Sequence, residues 1–201
     1  QSGDGCTAEA YDFDPDPVAW GLHNNARSLG ADAERLHLVL GDVRERSRKA
    51  PDVRCAQNFS YWCFKKRPLM LRYLKVVRDS LAEDGLLFLD CFGGVEGPQD
   101  ALNRVDHDGF TYIWEQSDFN PLTNECQCAI HFEFKDGSRI DQAFTYDWRM
   151  WSLPELRDLL EEAGFSKVRI FWEEEEDSEV FTEPEVVDND DLWWTYIVAE
   201  R

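Results

Sequence analysis

The sequence predicts an α/β protein: a doubly wound, mostly parallel sheet with helices on its faces, interrupted by an antiparallel β insertion. Strand-like apolar runs alternate with helix-period segments through the first half and again near the end, the order that βαβ units produce. After Gly93-Gly94 the apolar period shortens from helical to alternating, which marks the insertion at about residues 105–150. The early strands run into polar residues, where such sheets place their ligands.

Taken in order, Ala8 to Phe13 reads as a short strand, and Asp14-Pro15-Asp16-Pro17 opens a helix with Pro17 near its first turn. Val18, Leu22, Ala26 and Leu29 follow at helical spacing. Leu36 to Leu40 is a second strand ending in Gly41-Asp42, and Val53 to Ala56 a third ending in Asn58-Phe59-Ser60. A helix from Pro68 to Leu81 carries Met70, Tyr73, Val77 and Leu81 on one face, and Asp84-Gly85 turns it into the strand Leu86 to Phe92. In the insertion, Phe110, Tyr112 and Trp114 alternate, as do Cys126, Cys128, Ile130, Phe132 and Phe134, before Asp136-Gly137 turns the chain into Ile140 to Tyr146. Ser152-Leu153-Pro154-Glu155 is a capping box, Leu156, Leu159, Leu160 and Ala163 form the buried stripe behind it, and Gly164 ends the helix. Val168 to Trp172 and Trp193 to Ala199 are the last strands, separated by an acidic run, Glu173 to Glu179, that reads as a solvated loop. No repeat or linker divides the chain, so residues 1–201 are read as one domain.

Composition narrows the function. With 43% hydrophobic residues, 8 Trp and 13 Phe, the 201-residue chain has ample material for a core. Its 41 acidic and 21 basic residues give a formal charge of -20, which repels phosphate backbones and anionic membranes and attracts cationic amines. No apolar run approaches the roughly 18 residues of a membrane helix. The six cysteines lack C-x-x-C or zinc-finger spacing, so no metal is expected. They are read as reduced, mostly buried thiols of an intracellular protein, in the cytoplasm or an organelle. The sequence starts with Gln rather than Met, and upstream residues are expected to have been lost.

At the strand ends, Asp12 is placed to accept hydrogen bonds from the vicinal hydroxyls of a ribose. Asp14 reads more simply as a helix cap. Asp42 suits either an adenine amino group, with the Val43 backbone N–H offered to a ring nitrogen, or a local loop turn.

These residues carry a resemblance. Tyr11-Asp12-Phe13-Asp14-Pro15-Asp16-Pro17-Val18-Ala19-Trp20 followed by Gly41-Asp42-Val43-Arg44 resembles the post-glycine-loop and adenine motifs of class I S-adenosylmethionine-dependent methyltransferases, whose fold is Rossmann-like. Asn58-Phe59-Ser60 is similar to that family's fourth motif, and Leu81 to Asp90 to its helix-to-fifth-strand passage. Tyr146 to Glu155 followed by Ala163-Gly164-Phe165 resembles the late helix and strand of its small-molecule members. The resemblance implies S-adenosylmethionine as cofactor, with Asp12 at the ribose, Asp42 and Val43 at the adenine, Asn58 and Phe59 as the floor near the reactive methyl, and Phe13 as a further cofactor-binding residue. It implies methylation of N or O in a small molecule.

One departure stands out. The family opens with a strand and Gly-rich turn, whereas here Gly3-Asp4-Gly5 precedes the first strand, too close to Asp12 for the intervening helix. Those three residues read as a turn, and the domain as N-terminally incomplete. The family's first strand is central, so the gap is expected to be filled by upstream sequence or another chain. Direct pairing of the Ala8 and Val53 strands would contradict this.

The insertion supplies candidate substrate contacts. Trp114, Glu115, Tyr146 and Trp151, together with Trp148, combine aromatic faces with acid, a composition that binds an ammonium. His131 and Trp148 are candidates for a catalytic part, His131 as proton acceptor; core packing is the competing reading for each aromatic. The rival to an enzyme is a non-catalytic methyltransferase-like scaffold subunit of a larger assembly. A nicotinamide-dependent oxidoreductase fits the element order less well.

Overall fold

The structure is a computed structural model that describes residues 5–174 and 180–201. It divides into two compact units, Gln1–Arg48 and Lys49–Arg201. Gly3 and Asp4 of the expected opening turn, and residues 175–179 of the acidic run, lie outside the described residues.

In the first unit, Gly5 occupies a left-handed turn (φ 88°) ahead of β1 (Ala8–Asp12), which pairs in parallel with β2 (Leu36–Leu40) from Ala8–Leu36 to Asp12–Leu40. Asp14 caps α1 (Pro15–Trp20), its carboxylate accepting from the Asp16 N–H at 2.9 Å. The helix expected to run on past Leu29 loses its α-helical form after one and a half turns. It loosens into a π-type turn (Gly21–Asn25) and then a 3₁₀ segment (Ala26–Arg35) broken at Gly30, φ 59° and ψ -124°. Packing explains the change in part: at Gly21 even a Cβ would meet Leu38 at 2.8 Å, so the chain passes close against β2. Of the described residues in this unit, Gly21 and Ala26 are buried, while Phe13, Trp20 and Leu40 remain 84%, 61% and 57% exposed.

The second unit contains a five-stranded and a four-stranded sheet. The first is ordered β10-β9-β11-β4-β3, with β3 (Val53–Ala56), β4 (Leu86–Gly93), β9 (Lys167–Glu173), β10 (Phe181–Thr182) and β11 (Trp193–Glu200). β3 and β4 are parallel, but β11 runs antiparallel to both β4 and β9. The five-stranded sheet is therefore mixed: β3, β4 and β9 share one direction and β11 runs against them. Between β9 and β11 the described chain has no crossover helix, which a parallel return needs; β10 instead folds back on β9. α2 (Arg67–Ser80) and α3 (Leu153–Ala163) pack against each other. They close the core with fully buried Met70, Leu74, Val77, Leu156 and Leu160. The alternating partners on β4 and β11 (Leu87–Ala199, Leu89–Ile197, Cys91–Thr195) are buried too.

The capping box at α3 is formed as the sequence predicts: Ser152 accepts from the Glu155 N–H, Glu155 accepts from the Ser152 N–H, and Gly164 ends the helix at φ 97°. The insertion is a four-stranded antiparallel meander of β5 (Ala101–Asp106), β6 (Phe110–Asn120), β7 (Glu125–Phe134) and β8 (Arg139–Arg149). All six cysteines are free thiols; Cys91, Cys126 and Cys128 are buried, whereas Cys6, Cys55 and Cys63 are exposed, more than the sequence led one to expect. No helix among the described residues is long and apolar enough to cross a membrane.

Among the described residues, β1 belongs to the two-stranded sheet of the first unit and β3 to the five-stranded sheet of the second. Each is an edge strand among the described residues, β1 bonded to β2 and β3 to β4.

Candidate functional site

The second unit holds a cavity of about 1140 Å³. Its floor is the turn that follows β3. Asn58 and Phe59 both adopt φ 53°, a left-handed conformation that non-glycine residues take at a cost of roughly 1–3 kcal/mol each. A buried carboxylate holds them there: Asp90, 2% exposed on β4, accepts from the Asn58 N–H at 2.6 Å and the Phe59 N–H at 3.0 Å. Burial raises the Asp90 pKa, and the two N–H donors oppose that rise. The Tyr61 hydroxyl donates to the Asp90 carbonyl at 2.6 Å, tying the turn to β4 a third time. The Phe59 ring lies 4.8 Å from Phe92, 5.0 Å from Trp194 and 5.1 Å from Trp62. Such aromatic pairs contribute about 0.5–1.5 kcal/mol each beyond area burial.

One wall comes from the antiparallel sheet. Side chains alternate across a strand, so Tyr112, Trp114 and Gln116 of β6 face the cavity with Tyr146 and Trp148 of β8. The Tyr146 and Trp148 rings meet tilted at 4.5 Å, and Trp114 lies 6.0 Å from each. Gln116, 5% exposed, donates to the Gly97 and Gln99 carbonyls at 2.6 and 2.9 Å and so fastens the loop after β4 to this wall. The remaining lining comes from Trp172, Trp193 and Trp194 with the acidic residues Glu96, Glu173, Glu174, Asp190 and Asp191. Among the described residues, no Lys, Arg or His lines the cavity.

Three candidate residues lie outside this lining. Glu115 and His131 are a residue out of phase with Trp114 and Ile130, so they point to the opposite sheet face. There His131, 4% exposed, has Nε2 2.9 Å from the Glu115 carboxylate, and its Nδ1 accepts from the Gln142 N–H at 3.1 Å. Gln142 sits at φ 49° where the β7–β8 register shifts, so His131 satisfies a backbone donor that the bulge leaves without a ladder partner. Trp151 is buried at 2% exposure under the Arg149 guanidinium, 3.8 Å from its ring centroid. Asp147, the outward neighbour of Trp148, accepts from Lys65 Nζ at 2.7 Å, and Lys65 also reaches Glu125 at 3.1 Å. The Asp147 hydrogen bond raises the Lys65 pKa, and this network pins β8 to the segment that follows the Asn58–Phe59 turn.

The other cofactor candidates belong to the first unit. Asp12 lines a cleft of about 290 Å³ with Tyr11, Pro17, Val18 and Asn25, and its carboxylate accepts from the Asp14 N–H at 2.9 Å. Phe13 projects into solvent, and Val43 is half-buried. Both carboxylate oxygens of Asp42 are engaged by Arg44, whose Nε lies 2.9 Å from each. The Arg44 guanidinium bond, joined by the Arg44 N–H, lowers the Asp42 pKa to about 2. Asp14 is committed to its helix cap.

Sequence reasoning passed over Phe92, Tyr112, Gln116, Trp172, Trp193 and Trp194 as lining residues. The parity of Tyr112 and Gln116 with Trp114 was available to find two of them. The tryptophans of β9 and β11 needed the strand order.

No protein-family model matches the chain, and no curated protein matches it. Solved structures do. The methyltransferase CcbJ of Streptomyces caelestis superposes with a TM-score of 0.69 at 13% identity, over 94% of this chain and 73% of the other. An S-adenosylmethionine-dependent methyltransferase of Clostridium acetobutylicum gives 0.68 at 16% identity, over 95% and 74%. CalS10, an amino pentose methyltransferase of Micromonospora echinaspora solved with bound S-adenosylmethionine, gives 0.62 at 16% identity, over 97% and 74%. The chain therefore has the fold of S-adenosylmethionine-dependent methyltransferases.

Proposed function

We propose that this chain transfers a methyl group from S-adenosylmethionine to a nitrogen or oxygen of a small molecule, with an amine as the acceptor that its charge favours. The observation that carries this reading is the Asn58–Phe59 turn. It stands at the carboxyl end of two parallel strands, the place where α/β sheets bind ligands, and two consecutive left-handed residues are held there by a buried carboxylate beside an aromatic cavity.

Asn58 and Phe59 form the floor near the reactive methyl in this reading, Asp12 holds the ribose, and Asp42 and Val43 receive the adenine. The donor set fits in part. Asp12 spends one hydrogen bond on Asp14 and keeps acceptor capacity for ribose hydroxyls. Asp42 meets an adenine amino group only if Arg44 shares or releases its oxygens. When bound, the cofactor supplies an electrophilic methyl carbon on a sulfonium. Asn58 and Phe59 would position that carbon for in-line displacement by the acceptor's lone pair, with a thioether as leaving group and the acceptor's proton released to water. Such a displacement asks the protein for positioning and a dry site, which the ring-lined cavity supplies. The edge strands β1 and β3 each have room for a further strand, contributed in this reading by another segment or a partner chain.

A second reading, a non-catalytic scaffold, draws on the occupation of Asp42 by Arg44. Calorimetric titration of the complete, folded protein with S-adenosylhomocysteine decides between them. Saturable heat is expected; its absence at millimolar ligand overturns the enzyme reading.

A further inference from the structure

The cavity is polarised, and its two sides ask for different chemistry. The wall from the antiparallel sheet is uncharged at every lining position, with Tyr112, Trp114, Ile130, Tyr146 and Trp148 as its larger side chains. The same strand face runs outward over Phe132, Phe144 and Ile140 without a charged residue, and Phe144 and Ile140 are 56% and 48% exposed. In a chain of charge -20 this is a conspicuous neutral strip. The lining also includes five acidic residues, Glu96, Glu173, Glu174, Asp190 and Asp191, with the Trp172 and Trp193 rings, whose centroids lie 5.0 Å apart. No described cation forms an ion pair with any of the five.

From this we infer that the acceptor is an amphipathic amine, its ammonium held at the carboxylate rim and its apolar, ring-bearing body laid along the antiparallel sheet. The inference rests on the methyltransferase reading and names the substrate class for it. Three features favour it over a small polar amine or an aminosugar. The cavity, at about 1140 Å³, exceeds the roughly 300–1,000 Å³ typical of drug-sized ligands, so a lone ammonium head leaves much of it unfilled even with the cofactor's methyl end at the Asn58–Phe59 floor. A sugar body needs donors and acceptors along its length; with Gln116 already bonded to the Gly97 and Gln99 carbonyls, the neutral wall offers the Asn103 amide and otherwise only the Tyr112 and Tyr146 hydroxyls and the Trp114 and Trp148 indole N–H groups, set at the edges of apolar rings. The rim, by contrast, joins aromatic faces with acid, the pairing that attracts an organic cation. For transfer the ammonium first gives its proton to water at the rim, and the freed lone pair then takes the methyl as the sulfonium carbon–sulfur bond breaks.

The test uses the full chain and four probes that need no turnover: 4-phenylbutyltrimethylammonium, tetramethylammonium, 4-phenylbutan-1-ol and glucosamine, each titrated calorimetrically. The first is expected to bind at least tenfold more tightly than each of the others, showing that both the cation and the apolar body contribute. In the triple variant Glu173→Gln, Asp190→Asn, Asp191→Asn that advantage over the alcohol falls below threefold. Glucosamine binding as tightly as the phenylbutyl cation, or tetramethylammonium or the alcohol doing so, overturns the inference. If the triple variant does not fold, the ranking on the wild-type protein decides alone. S-adenosylhomocysteine titrated into the same sample separates the two claims. Heat from it without the probe ranking removes the amphipathic amine and keeps methyl transfer; the ranking without that heat keeps the cavity assignment and removes methyl transfer.

Discussion

Asp42 shows how a single ion pair sets both a pH response and a functional question. Its folded-state pKa, about 2, lies below the ordinary 3.8, so the pair with Arg44 stabilises the fold above about pH 4 and loses that contribution as the pH falls through about 2. Arg44→Ala is expected to raise the Asp42 carboxyl part of the way back to the ordinary range, the backbone N–H of residue 44 still donating to it, read by carboxyl NMR titration, and to weaken that acid-range dependence of stability. If Asp42 serves the adenine, the same variant binds S-adenosylhomocysteine more tightly. At this scale the sequence was most informative where strand parity applied. Trp114, Tyr146 and Trp148 share a face and line the cavity, and the same rule sends Glu115 and His131 to the other side. Glu115 entered the candidate list through its chemistry and not its phase. Asp90 could not be singled out from sequence, because its importance comes from two N–H groups more than thirty residues away in the chain.

Among the elements, β4 and β11 have the tightest fit. Gly93 faces Trp193 in the ladder, and a Cβ at Gly93 would overlap the Trp193 indole. Gly93→Ala is therefore expected to displace Trp193 from the cavity rim and destabilise the protein by about 1–3 kcal/mol, measured by the denaturant midpoint. Elements with strong local signals were legible: the α2 and α3 stripes, the α3 capping box, and the period-2 strands β6 to β8. Those whose form depends on distant partners were not. β5 (Ala101–Asp106) alternates weakly and exists because β6 pairs with it, and β10 is two residues long. The antiparallel sense of β11 is invisible in its own residues, and the loss of α-helical form after Trp20 reflects the close approach at Gly21 as well as local propensity.

For the molecule as a whole, the net charge of -20 opposes compaction, and salt screens such repulsion over a Debye length of about 8 Å at physiological strength. Raising sodium chloride from low to moderate concentration is expected to lift the melting temperature by a few degrees, roughly 1 kcal/mol for a chain of this size; scanning calorimetry reads it, and a fall on adding salt would show that attractive ion pairs such as Lys65–Asp147 dominate instead. The α/β class and the methyltransferase likeness were legible from element order, whereas the mixed sheet was not, since strand sense is a property of the assembled fold. One consequence lies in the placement of indoles. Trp114, Trp148, Trp172, Trp193 and Trp194, five of the eight in the chain, border the same hollow. The protein thus carries its own optical reporter: a guest entering that space alters the polarity around most of its emitting side chains, and the shift in its intrinsic light reveals occupancy without any attached dye.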